Sequence, residues 1–592
     1  MPTSFRQICS PQLWFIPAIV VLTISGIPVI VALILSLLVQ CDNVTPCMGL
    51  DAYARLYSGP YVDSLYNILW QAVIVASTCV IFAFPVGYFI VIRRSLTIRI
   101  GLIALALAPF FTSDAIRSFG WLKILSAGGI LSKAVVFLSG GLLSSQILCF
   151  SDIALFIALA SAVFPFGLLA IIVSLPKASD PRWQVSAELG GSRRWTFFHL
   201  ALPNAMPGAL VGWIYMVVLA TFSSTEEHYV GNSTSMQKIT SGLINSDVSD
   251  RSYQFFALTS TILFVLIGLI LIAAGLFFYR SLISSLISKW IINVTRYKKR
   301  GIEMLKLARF KHSYEYPKLS PTNNRNIKEH SDNSFNFIIW TISILCYLLI
   351  LAPLITTVAL SMQDYSTGEL LWTFCHYKDL FHAQSLTAAL GRSILLGLGV
   401  GFSCLLMAPL LATSKWLPKK IYVPGLMIIA IASLIPPDSY SIALLNVVRF
   451  LGIQSGSLWL VAIGHIAWAM PFCVGTMILS YSALNVHMLQ AAMEFEPKPF
   501  SLWLRIIVRL TIPAIFGCFI FGFLLSLNDS IRGIYLGGSA ELLSNRVYGR
   551  LLSGLAGSGR RIFACGTMVV MFSFFSASAV ITFIAHSSRS RE

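Results

Sequence analysis

Charged residues are scarce in this sequence. They make up 11% of it, with only 24 Asp and Glu among 592 residues, where an ordinary soluble domain carries about 25%. A phosphate-binding loop of the GxxxxGK type followed by Ser or Thr is missing, so the chain has no usual device for holding ATP. The nine histidines show no metal-ligand spacing, and there is no CxxC. Most of the eleven cysteines lie inside apolar runs, where cysteine behaves as a small hydrophobe. Nothing in the pattern of nucleophiles and bases marks a catalytic site, so no enzyme is expected.

What the sequence has instead is apolar length. The hydrophobic fraction is 56% and the mean hydropathy +0.79. Runs of about 20 apolar residues, enough to cross a bilayer core, recur along the whole chain. Candidate spans fall near 13–39, 65–92, 100–116, 152–175, 205–224 and 255–285, then near 336–361, 388–412, 421–436, 458–482, 512–528 and 562–585. The first is too long for a signal-peptide core and has no small-residue cleavage pattern, so it reads as a spanning helix. The expected fold is an all-α polytopic membrane protein of about twelve transmembrane helices, six per half.

The formal charge of +18 does not point to nucleic acid, because the bases are not interleaved with aromatic platforms in a soluble module. Many lie in loops of one side, among them Arg93, Arg94, Arg99, Lys177, Arg182, Arg193 and Arg194 in the first half, and Lys415, Lys419 and Lys420 in the second. The positive-inside rule makes that side cytoplasmic. Both termini and the basic segment 286–334 then face the cytoplasm. That segment divides a first repeat, 1–285, from a second, 335–592, and fits either a solvated tether or a basic stretch on the anionic inner leaflet. Cys41 and Cys47, in the first outward loop, fit a short disulfide or two free thiols.

One polar interruption has a fixed grammar. Between Gln184 and Gly208, QVSAELGGSRRWTFFHLALPNAMPG reads as helix, turn, helix. Gly190 and Gly191 can end one helix, Ser192 can cap the next, and Pro203 and Pro207 mark the return to the bilayer. A second copy follows at a constant offset: Gln490 answers Gln184, Phe495 answers Leu189 and Pro513 answers Pro207. An internal repeat of this kind indicates two tandem, parallel halves.

Charges at the ends of spans are costly and are functional candidates by default. Here they are Asp114 and Arg117 in FFTSDAIRSFGW, Glu226 and Glu227 in ATFSSTEEHYVG, Asp438 in LIPPDSYS, and Asp529 in SLNDSIRGIYLGG. With Trp121, Tyr229, Tyr440 and Tyr535 nearby they suit a partly desolvated anionic cage for an organic cation. Interfacial residues wetted by water are the bland alternative. His199 and His465 are expected to be hydrogen-bonded packing residues.

The loop resembles the cytoplasmic coupling motif of ABC importer permeases. Leu189, Gly190, Phe197, Leu202, Pro203, Pro207 and Gly208 fall on that pattern, while Gln184, Val185 and Ser186 replace its Glu-Ala-Ala and Gly191 its last Ala. The second copy has Glu496 and Pro497 in place of Gly-Ala, and Val508 and Arg509 in place of Leu-Pro, so its turn must be built differently. Further segments, SFGWLKILSAGGILS, LGGSRRWTFFHLALPNAMPG, and SLNDSIRGIYLGG followed by LLSNRVYGRLL, are similar to the permease subunits of bacterial spermidine/putrescine importers, the first half to one subunit and the second to the other. Arg117 and Asp529 fall on family-like positions; Asn528 stands where a second acid is common.

The resemblance implies a type I importer permease in the bacterial inner membrane, working by alternating access. Its partners would be two copies of an ABC ATPase, which carry the ATP and Mg, and a periplasmic substrate-binding protein; this chain itself would bind no cofactor. Glu188, Leu189, Gly190, Gly191, Phe197 and Pro203, with Gln490, Ala491, Ala492, Glu494 and Glu496, would face the ATPases. Within this class ferric iron and thiamine remain alternative cargoes to a polyamine. A secondary transporter of the major-facilitator type also has twelve spans, but VIRRSLTIRIG between the second and third spans lacks its Gly and Asp pattern. A channel would explain neither loop.

Overall fold

The computed structural model describes residues 11–231, 325–416 and 435–546, each with short gaps, and isolated positions between 564 and 575. Apolar segments in lipid must satisfy their backbone internally, and here they do so as helices. In chain order these are α1 (Pro11–Ser36), α2 (Tyr61–Val91), α3 (Leu96–Leu107), α4 (Asp114–Leu125), α5 (Ile130–Leu138), α6 (Asp152–Ser174), α7 (Arg193–Thr196) and α8 (Leu202–Thr221). The second half gives α9 (Arg325–Ser361), α10 (Cys375–His382), α11 (Gln384–Ala412), α12 (Pro437–Phe450), α13 (Leu458–Ser482), α14 (Val486–Phe495), α15 (Pro499–Leu502), α16 (Val508–Asn528) and α17 (Ile531–Leu536). The chain is an all-α polytopic membrane protein, with nine helical segments among the described residues long and apolar enough to span a bilayer. The expected spans at 255–285, 421–436 and 562–585 lie wholly or mostly outside the described residues.

The internal repeat extends far beyond the two punctuated loops. Helices α6 and α13, α7 and α15, and α8 and α16 correspond at one constant offset, which also superposes Pro165 on Pro471 and Pro207 on Pro513. The first helix of each half is followed by a two-stranded antiparallel ribbon, β1 (Leu38–Gln40) with β2 (Pro46–Met48) and β3 (Gln363–Asp364) with β4 (Leu371–Trp372). Two π-helical turns, Phe197–Ala201 and Trp503–Ile507, stand at the same place in the two copies, where the loop helix passes into the span.

One expectation is corrected and another is refined. The run at 100–116 is not one span: α3 ends at Leu107, a 3-10 turn covers Ala108–Phe111, and extended Thr112 and Ser113 lead into a new helix at Asp114. Pro109, with no N–H to donate, stops the α-helical ladder there. The end of the segment read as linker is helical, since α9 begins at Arg325. No Gly or Pro lies between Arg325 and Phe335, so the span propagates outward once nucleated.

Within each half the spans pack through small residues, as expected where lipid gives no hydrophobic drive between helices. Helix α8 lies on α6 and α2; α16 lies on α11 and α13. The first helices, however, are exchanged. Helix α1 packs on α12, α11 and α13 of the second half, and the Tyr440 hydroxyl donates to the Ile24 carbonyl at 2.9 Å. Reciprocally, α9 packs on α4 and α2 of the first half. The Tyr347 hydroxyl donates to the Leu102 carbonyl at 2.9 Å, Trp340 meets Phe89 edge-on at 5.6 Å, and a Cβ on Gly120 would lie 2.6 Å from the Pro353 carbonyl oxygen.

Candidate functional site: a charged cavity between the halves

The break before α4 places Asp114 in the first helical turn and Arg117 one turn later, on the same face. The Arg117 guanidinium donates to Asp114 Oδ1 at 2.8 Å, to Glu226 Oε1 at 2.5 Å and to the Pro109 carbonyl at 3.2 Å. Glu226 follows α8 and also accepts from the Ser223 hydroxyl at 2.8 Å. Arg117 and Glu226 are buried, at 5% and 1% exposure. Each buried ion costs several kcal/mol unless compensated, and here each compensates the other.

The second half builds its counterpart from the segment after α16. Asp529 accepts from Arg532 Nη1 at 2.6 Å and from the Arg532 backbone N–H at 3.1 Å. Burial alone would raise the Asp529 carboxyl, but the Arg532 guanidinium and these two hydrogen bonds hold it below its ordinary range. The Arg532 guanidinium lies over Trp468, 4.8 Å from the ring centroid, and Tyr440, 5.8 Å. His465 is fully buried beneath, its Nδ1 2.8 Å from the Ser526 hydroxyl.

The repeat relation adds a difference. At the constant offset Arg532 answers Glu226 and Asp529 answers Ser223. Asp114 and Asp438 each stand in the first turn of a helix, α4 and α12, but not at that offset. Each half therefore buries an acid–base pair beside the segment that follows its last described span, but in the first half the base comes from α4, while in the second both partners lie on that segment.

Both pairs line one cavity of about 150 Å³ between the halves. Its charged lining is Asp114, Glu226, Asp529, Arg117 and Arg532; Phe110, Phe166 and Trp468 supply aromatic walls. Three carboxylates against two guanidiniums leave one anion in excess. Asp114, whose side chain is 54% exposed, is the carboxylate most open to an incoming group.

Of the residues expected here, Asp114, Arg117, Glu226 and Asp529 come together. Asp438 is half-buried on the first turn of α12, next to Pro437, which lines the cavity. Tyr440 is core, Tyr535 is not among the lining residues, and Trp121 packs elsewhere, its indole N–H donating to Ser161 at 2.7 Å. Glu227 and Tyr229 lie outside the described residues. Arg532 and Trp468 were not anticipated. The signal for Arg532 was present, because Asp-x-x-Arg is spelled twice, as DAIR and DSIR.

At the other end of the same helices lie the loops. Glu188, Leu189, Gly190, Gly191 and Glu496 fall outside the described residues. Ser192 caps α7, its hydroxyl accepting from the Trp195 N–H at 3.2 Å. Phe197 is buried, edge-on to Tyr88 at 5.1 Å and to Phe335 of the other half at 5.6 Å, and Pro203 sits in the first turn of α8. On α14, Ala491 and Glu494 are exposed, while Gln490 and Ala492 are half-buried. Trp503 is buried, its indole N–H donating to Tyr481 at 3.2 Å.

No family model matches the chain. Curated relatives do. The spermidine/putrescine transport system permease protein PotB of Salmonella typhimurium is 27% identical over 232 residues, 38% of this chain and 77% of the relative. PotB of Escherichia coli is 26% identical over 232 residues, 80% of its length. PotC of Escherichia coli, the other permease protein of that system, is 27% identical over 184 residues, 30% of this chain and 69% of PotC. The chain is homologous to both permeases. A 592-residue chain with two copies of one helical plan is long enough to hold both.

Proposed function

We propose that this chain is a fused permease of an ABC importer, combining in one polypeptide the roles of the two subunits its relatives represent, and that it carries a polyamine or related organic cation inward. The observation that carries this reading is the shared cavity, to which each half contributes a charged cluster and aromatic faces suited to an ammonium, and in which carboxylates outnumber guanidiniums by one. The first repeat is residues 1–285, the second 335–592, with 286–334 between them. A periplasmic binding protein delivers the cargo, two ATPase subunits dock on the loops near 184–208 and 488–514, and their closure and reopening drive alternating access. Hydrolysis, with ATP and Mg, belongs to those partners.

The test is ATPase activity of the assembly in lipid, with permease, ATPase and polyamine-binding protein. Stimulation by spermidine- or putrescine-loaded binding protein is expected. Stimulation by a ferric- or thiamine-loaded binding protein alone would keep the class and overturn the cargo. Gly190→Pro, which distorts the first loop without touching the cavity, is expected to abolish both ATPase docking in pull-down and uptake; full uptake by that variant would remove the loop from the mechanism.

A further inference from the structure

Below the charged cavity, the halves meet through aromatic rings. Phe166 on α6 and Phe472 on α13 occupy equivalent positions in the repeat, and so do Tyr215 on α8 and Phe521 on α16. On all four helices the ring stands three or four residues nearer the coupling loop than the cavity residues Val163, Leu219, Trp468 and Leu525. That is a step of about 5–6 Å along each helix. Phe110, from the turn that breaks the third run, sits among them.

The rings form one continuous layer. Within the first half Phe110 meets Phe166 at 4.8 Å and Phe166 meets Tyr215 at 5.3 Å; within the second, Phe472 meets Phe521 at 5.8 Å. Three contacts cross the boundary: Phe110 with Phe521 at 5.6 Å, Phe110 with Phe472 at 6.1 Å, and Tyr215 with Phe472 at 6.1 Å.

We propose that this layer, Phe110, Phe166, Tyr215, Phe472 and Phe521, is the gate that closes the cavity on the coupling-loop side and parts along the boundary between the halves to release cargo. The proposal rests on the permease reading above and names the residues that perform its closing step. Three physical points support it. Ring contacts can separate and reform without stranding a buried hydrogen-bond donor or charge, which breaking Arg117–Glu226 would do. An apolar constriction stops ions by excluding water even where a narrow path exists. The ring faces attract an ammonium group, so the barrier is lower for an organic cation than for a hydrated metal ion. The mechanical link is direct, because Tyr215 and Phe521 ride on α8 and α16, the helices that continue from the coupling loops through the two π-helical turns.

The experiment uses the full chain, without ATPase, in vesicles holding a fluorophore quenched by thallium ions. Phe472→Ala with Phe521→Ala is expected to raise thallium entry about tenfold or more over wild type, whereas Phe402→Ala, on the lipid-facing side of α11, leaves it unchanged. A tight double variant that elutes as a monodisperse peak would overturn the gate. In case truncation unfolds the protein, Phe110→Cys with Phe521→Cys, one on each side of the boundary, is bridged by a bis-methanethiosulfonate reagent, since rings 5.6 Å apart do not by themselves put two Cβ atoms within disulfide reach. Bridging that pair is expected to abolish ATP-driven uptake, reversibly on reduction, with wild type treated alike unaffected; undiminished uptake by the bridged protein would also overturn the gate. A leak in the first variant without any polyamine-stimulated ATPase activity would uphold the gate and refute the cargo.

Discussion

Arg117→Ala is expected to lower stability by about 3–5 kcal/mol and to abolish uptake, because it leaves Glu226 charged and uncompensated in the interior. The reciprocal change, Glu226→Gln, should cost less, since Arg117 keeps Asp114 at 2.8 Å and the Pro109 carbonyl. Removing both charges, as Arg117→Leu with Glu226→Leu, should recover most of the lost stability while leaving transport low, since no desolvated ion then lacks a partner. Thermal melting of the wild type, Arg117→Leu, Glu226→Leu and the double variant gives the double-mutant cycle, and a coupling term well above zero is the expected result. If Arg117→Ala melted with the wild type, the pair would have no structural role, and Arg117 would act on cargo alone.

Gly208→Leu should have an effect as large by a different route. A Cβ at residue 208 would sit 2.1 Å from the Ser174 hydroxyl and 2.2 Å from the Ala170 carbonyl oxygen, and the latter is backbone that cannot rotate away. Helices α6 and α8 would have to part, and with them the wall that carries Phe166 and Tyr215. The expected outcome is loss of monodisperse protein on size exclusion. Gly399→Ala is the contrast: nothing lies within 4 Å of its Cβ, and exchanging Gly for Ala within a helix favours the helix by up to about 1 kcal/mol. A normal elution profile for Gly208→Leu would mean that α6 and α8 do not approach as closely as described.

Much of the architecture was legible in the sequence because membrane spans announce themselves by length and composition, and because loop punctuation repeats at a fixed distance. The broken third run was not. Averaged over a span-sized window, Ala108 to Phe111 is as apolar as a continuous helix, and only Pro109 hints at the stop. The acids of the site were visible as costly residues at span ends, but their partners were not. Sequence shows that Asp114 and Arg117 share a helix face; it does not show that Glu226, 109 positions away from Arg117, closes the same cluster. The acids expected to form an anionic cage line a cavity in which two of them pair with guanidiniums, Glu226 with Arg117 and Asp529 with Arg532. The aromatic layer was least legible of all, since Phe166 or Phe472 inside an apolar run carries no mark distinguishing a ring at the boundary between halves from one in lipid.

The exchange of first helices bears on how the protein is made. Ile24 and Tyr440, which join α1 to the second half, are 416 residues apart. At about 5–20 residues per second, α1 waits roughly 20–80 s on the ribosome's schedule before its partner is synthesised. Throughout that interval it must tolerate lipid on every side, which its run of apolar residues without a single charge from Pro11 to Ser36 allows. The first half is likewise incomplete until α9 arrives to cover α4. A chain stopped between the two repeats would therefore be a first half that lacks the helix covering α4 and carries an α1 with no partner, and tethering the halves in one polypeptide ensures that each newly made α1 meets the one partner built to receive it.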